Sequence, residues 1–237
     1  MVDYGLFASI ALSAGGVWLA TRVWWDRSTG GRSPADQLTA PIFVGMVVGR
    51  AVTLIIGDPA GLVNLREFLT IRGGLEFWPA AAAGVLVLVG LFSRPDDPPQ
   101  EQRVAALIPF ALVALAGFQA TCVVRDGCAG PASPIGLVPP GLTTRQLPVG
   151  LLAGLLLLAF ARWFRASPLP AHTKILIGVF GVGAERSLLG VIEPSLDSAL
   201  SKDGYAMLAA FAVTIGWCFS FERRERVWRQ HVPSAPA

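Results

Sequence analysis

The chain runs to 237 residues, of which 53% are hydrophobic and only 15% charged, with a mean hydropathy of +0.57. This is too apolar for a soluble domain, and no polar stretch is long enough to build a separate core, so 1–237 reads as a single integral-membrane domain. The 19 basic and 16 acidic residues form no basic stripe with interleaved aromatics, which argues against nucleic acid, and two distant histidines with three cysteines outside any CxxC motif argue against a metal.

Seven apolar segments are predicted, at 5–22, 40–57, 74–93, 104–121, 148–165, 173–191 and 204–221, each close to the ~20 residues that span ~30 Å of hydrocarbon. The first runs into Thr21-Arg22 with no basic stretch before it, which predicts a retained helix rather than a cleaved leader. Tyr4, at its mouth, is either an aromatic-belt anchor or a functional hydroxyl. The second segment carries Arg50 within its apolar run, and the sixth is interrupted by Glu185 and Arg186. A charge at membrane depth costs ~2.5 kcal/mol or more, so both arginines are expected to face the bundle interior or a site.

Between the second and third segments, residues 58–73 mix apolar and charged side chains without the length to span, and predict an interfacial arm. Residues 122–147 form a long Gly/Pro-rich loop of the kind that carries function or disorder. Its cysteines, Cys122 and Cys128, suit either a disulfide or two free thiols. The chain closes on a basic tail, 222–237. With the amino terminus outside, twelve basic residues fall on the inner side and five on the outer. That asymmetry predicts an N-out, C-in orientation, with Trp24, Trp25, Trp163 and Trp228 near the inner interface.

Several short motifs, in this order along the chain, resemble the prolipoprotein diacylglyceryl transferase family. They are Tyr4-Gly5-Leu6, Val48-Gly49-Arg50, the stretch from Phe68 to Phe77, and Cys122 to Gly130. Gln146-Leu147 before an apolar helix and Glu185-Arg186 followed by Glu193-Pro194 complete the series. The resemblance implies an all-α, seven-span bundle in a bacterial cell membrane, with anionic phospholipid as ligand. It also implies transfer of diacylglycerol from phosphatidylglycerol to the cysteine of a prolipoprotein lipobox peptide, without a cofactor. It departs from the family where the chemistry should lie. The family's His-Gly-Gly is here Trp78-Pro79-Ala80, its signature arginine aligns with Gln119, the acidic residue of the commoner signature with Gly127, and its Tyr-Glu with Pro148-Val149.

The reaction needs cations for the phosphate, a base for the thiol and a lateral opening for lipid. Arg50, Arg186, Arg125, Tyr4, Gln119 and Gln146 are the expected headgroup ligands, with Glu185 and Glu76 as candidate bases. Arg50 is either a lipid ligand or a structural lock on Glu185 or Glu76. A second functional reading is a lipid-binding scaffold or partner protein that has lost catalysis. A solute transporter is disfavoured by the lack of an inverted repeat.

Overall fold

The computed structural model describes residues 5–25, 32–57, 59–64, 68, 76–91, 100–121, 130–138 and 143–192, with side chains described for all but 5–7, 89, 91, 100 and 186–192. Among these residues there are six α-helices: α1 (Gly5–Trp24), α2 (Pro34–Gly57), α3 (Phe77–Leu91), α4 (Gln100–Ala120), α5 (Val149–Ala166) and α6 (Ala171–Ile192). A 3₁₀ turn, Pro59–Leu62, follows α2, and a strand, β1 (Ala132–Leu137), lies between α4 and α5. Six of the seven apolar segments thus coincide with helices. The seventh, 204–221, and the basic tail 222–237 lie outside the described residues.

Helix α2 begins six residues before its apolar run because Ser33 caps it. The Ser33 hydroxyl donates to Asp36 Oδ2 at 2.7 Å and accepts from the Asp36 backbone N–H at 3.2 Å, while the Ser33 carbonyl accepts from Gln37 N. With Pro34 at the first helical position, this is an N-terminal capping arrangement that satisfies donors otherwise left bare. Helix α5 stops where Ser167 turns to an extended backbone, φ −74° and ψ 131°, just ahead of Pro168 and Pro170.

Helix α4 is the centre of the bundle and packs against α1, α5, α6 and α2, while α2 also pairs with α3. The α1–α4 pair is antiparallel, since Trp24 meets Phe110 near one end and Ser9 meets Thr121 at the other. Val17, Leu107, Phe110, Val113, Leu157 and Ala161 form the main buried cluster. Two glycines allow backbones to touch. A Cβ on Gly117 would lie 2.7 Å from the Leu12 carbonyl oxygen, and one on Gly45 would lie 2.7 Å from that of Ala80. Close approach through small residues is how helices associate in lipid, where burial of apolar surface supplies no drive.

Large apolar side chains also cover the outside of the bundle. Ile56, Leu86 and Leu156 are each 70% or more exposed, an arrangement that water disfavours and hydrocarbon does not. Helices Pro34–Gly57, Glu101–Ala120 and Val149–Ala166 are each long and apolar enough to cross a membrane.

Candidate functional site

Buried polar side chains gather at the end of the bundle where α1 begins and α4 ends. Ser9 and Thr121 are almost completely buried, and their hydroxyl oxygens lie 2.8 Å apart. The Thr121 hydroxyl also donates to the Phe118 carbonyl at 2.6 Å. Beside them Gln119, 2% exposed, donates its side-chain N–H to Glu185 Oε1 of α6 at 2.7 Å. A donor placed on a carboxylate makes a charge-assisted bond, stronger than a neutral pair. It fixes the rotamers of both residues and joins α4 to α6.

Arg50 approaches the same end from α2. It is 3% exposed, and its Nε donates to the Phe68 carbonyl at 3.3 Å, tying the arm after α2 back to the helix. Met46, one turn below Arg50, packs with Phe118, the neighbour of Gln119. Arg50 and the Gln119–Glu185 pair therefore lie toward the same end of the bundle. One turn above Arg50, the Thr53 hydroxyl donates to the Gly49 carbonyl and accepts from the Glu76 backbone N–H at 3.0 Å. The Glu76 carbonyl in turn accepts from Ala80 N, so α3 starts from a point held by α2. The side chain of Glu76 is exposed.

The loop before α5 also belongs to this end. Strand β1 bridges in antiparallel fashion to Gln146, and Ser133 N–H donates to the Arg145 carbonyl at 3.0 Å, which makes a short hairpin. Gln146 Oε1 is buried with no hydrogen-bond partner among the described residues. An acceptor left so is uncommon in a folded protein and is met at ligand sites.

The residues expected from the sequence are thus partly brought together. Arg50, Gln119 and Glu185 share one end of the bundle, with Gln146 in the hairpin beside them and Glu76 at the rim. Arg186 is a residue of α6 whose side chain lies outside the described residues, and Tyr4, Arg125, Cys122 and Cys128 lie outside them altogether. Trp78 is half-buried and meets Phe77 edge-on at 5.2 Å. Ser9, Thr53 and Thr121 were not singled out by the sequence. Their one signal is a hydroxyl within or next to an apolar run, most evident in Ser9 and Ser13, four apart on α1 and both almost completely buried. Among the described residues no group of His, Cys, Asp and Glu could hold a metal.

At the opposite end, polar contacts range from buried to half-exposed, with Gln37 7% and His172 46% exposed. Arg103 donates to Gln37 Oε1 at 2.8 Å, Glu101 stands 3.8 Å from His172 Nδ1, and Arg165 donates to the Trp24 carbonyl at 3.2 Å. Neither a scan against protein-family models nor a search of curated proteins returns a match for this chain.

Proposed function

We propose that this chain is a polytopic membrane protein that binds the headgroup of an anionic phospholipid, phosphatidylglycerol, in the manner of the diacylglyceryl transferases it resembles. The supporting observation is Arg50, a guanidinium 3% exposed within an apolar helix, which bonds the Phe68 carbonyl toward the end of the bundle where buried Gln119 bonds partly buried Glu185. Guanidinium matches phosphate with paired donors, and in apolar surroundings that match is strong. In this reading seven segments cross a bacterial cell membrane, N-out and C-in, and the Arg50 end faces the outer leaflet. Arg186, Arg125, Tyr4 and Gln146 complete the headgroup contacts.

The full reaction would form a bond between the sulfur of a prolipoprotein cysteine and the terminal glycerol carbon. The carbon–oxygen bond to phosphate breaks, and glycerol phosphate leaves with the electron pair. The thiol proton passes to a carboxylate, for which Glu185 and Glu76 are the candidates. A second reading, binding without transfer, is favoured by one contact. Glu185 already accepts from Gln119, and Gln119 occupies the position of the family's signature arginine.

The deciding experiment gives purified protein labelled phosphatidylglycerol and a lipobox peptide, beside Arg50→Ala and Arg186→Ala. Lipidated peptide that vanishes in both variants supports the transferase. Lipid bound by the wild type and lost in both variants, with no product, supports the second reading. Equal lipid binding by all three proteins rejects both.

A further inference from the structure

Arg50 is the headgroup ligand in the reading above, yet only 3% of it is exposed. A phosphate oxygen must come within about 2.9 Å of a guanidinium nitrogen to accept from it, so no anion reaches this side chain until a neighbouring group makes way. The arm after α2 is such a neighbour. Arg50 Nε donates to the Phe68 carbonyl at 3.3 Å, and the Phe68 N–H donates to the Asn64 carbonyl, one turn back, at 2.9 Å. The arm starts with the 3₁₀ turn Pro59–Leu62, which packs on α2 with Gly61 buried.

Two features suit this arm to opening. Beyond Gly61 it is thinly packed, with Leu62 and Asn64 exposed and Val63 92% exposed, and segments with few buried apolar contacts open at low cost. Its bond to Arg50 is also replaceable. A carbonyl is a neutral acceptor, and 3.3 Å lies beyond the usual ~2.7–3.2 Å for N–H to oxygen. A phosphate is charged, and charge-assisted bonds are about twice as strong.

We infer that the arm is a latch on the headgroup site: phosphate displaces the Phe68 carbonyl from Arg50, and the arm carrying Phe68 opens as the lipid binds. The inference rests on Arg50 being the headgroup ligand of the proposed function. Linkage runs both ways, so a change that loosens the arm tightens lipid binding.

Hydrogen–deuterium exchange of the full chain in neutral detergent, with and without phosphatidylglycerol, tests it. The arm is read at the Val63 and Phe68 amides, which donate to the Ala60 and Asn64 carbonyls. Phosphatidylglycerol is expected to speed their exchange about fivefold or more, the lower end of coupling between linked sites. Phosphatidylcholine of the same chains leaves it unchanged. Arg50→Ala exchanges fast at these amides without lipid and does not respond to it, while the amides of α5 keep the wild-type rate and show that the bundle is folded. Phe68→Pro removes the donor to Asn64 and leaves Arg50 intact. By native mass spectrometry it is expected to bind phosphatidylglycerol about fivefold more tightly than the wild type. Exchange that stays unchanged or slows, while a bound lipid is counted that Arg50→Ala loses, would overturn the latch and leave the headgroup reading standing. Weaker binding by Phe68→Pro would do the same and make the arm part of the site, as would wild-type exchange in Arg50→Ala. Equal lipid binding by wild type and Arg50→Ala would remove the latch and the headgroup reading together.

Discussion

At the Trp24 end of the bundle, Arg103 meets Gln37, Glu101 faces His172 across 3.8 Å, and Arg165 reaches the Trp24 carbonyl. At the Ser9 end, Gln119 meets Glu185, Ser9 meets Thr121, and Arg50 reaches the Phe68 carbonyl. The residue types are alike and the surroundings are not. His172 is 46% exposed and can exchange its partner for water, whereas Gln119 is 2% exposed and cannot. A polar contact is a constraint only where nothing else can replace it. By that measure Gln119 is fixed and His172 adaptable, while Gln37, 7% exposed beside Arg103, gives the Trp24 end a fixed contact of its own.

The comparison breaks most readily at Gly117. A Cβ there would lie 2.7 Å from the Leu12 carbonyl, so Gly117→Val is expected to push α1 from α4, separate Ser9 from Thr121 and destabilise the fold by about 3 kcal/mol. Gly15 has open space where its Cβ would lie, so Gly15→Ala is the matched control. Unfolding in mixed micelles measures both, and equal behaviour would refute the tight α1–α4 contact. Next comes Gln119→Leu, which takes from Glu185 the donor that fixes it and should cost about 1–3 kcal/mol in the same assay. A loss below that range would mean that water reaches this end too. Smallest is His172→Ala at the other end, expected to change stability by less than about 0.5 kcal/mol. A loss comparable to that of Gln119→Leu would erase the distinction between these two contacts.

Hydropathy revealed six of the helices because a run of about 18 apolar residues has few other uses. The start of α2 was missed although its signal is present: Ser33-Pro34-Ala35-Asp36 is a capping sequence, but it lies outside the apolar run. Strand β1 was illegible, since Ala132-Ser133-Pro134-Ile135-Gly136-Leu137 contains both Pro and Gly and does not alternate. Within the site, a charge in an apolar segment marked Arg50 as buried. Its acceptor, a backbone carbonyl of Phe68, has no sequence signature. Glu185 stands beside Arg186 in sequence, yet its structural contact is Gln119, 66 residues away. Glu76, a candidate base in the sequence, contributes its backbone to Thr53 while its side chain is exposed.

The central place of α4 has a consequence for how the chain is made. Ser9 is synthesised 112 residues before the Thr121 that receives it. At ~5–20 residues per second, α1 waits roughly 6 to 22 s before its partner leaves the ribosome. During that interval its buried hydroxyls, Ser9 and Ser13, have only their own helix to turn to, and Ser–Thr contacts between membrane helices are individually weak. In the membrane reading proposed above, α1 would then enter on its apolar length alone, and the bundle can close around it only after α4 has arrived.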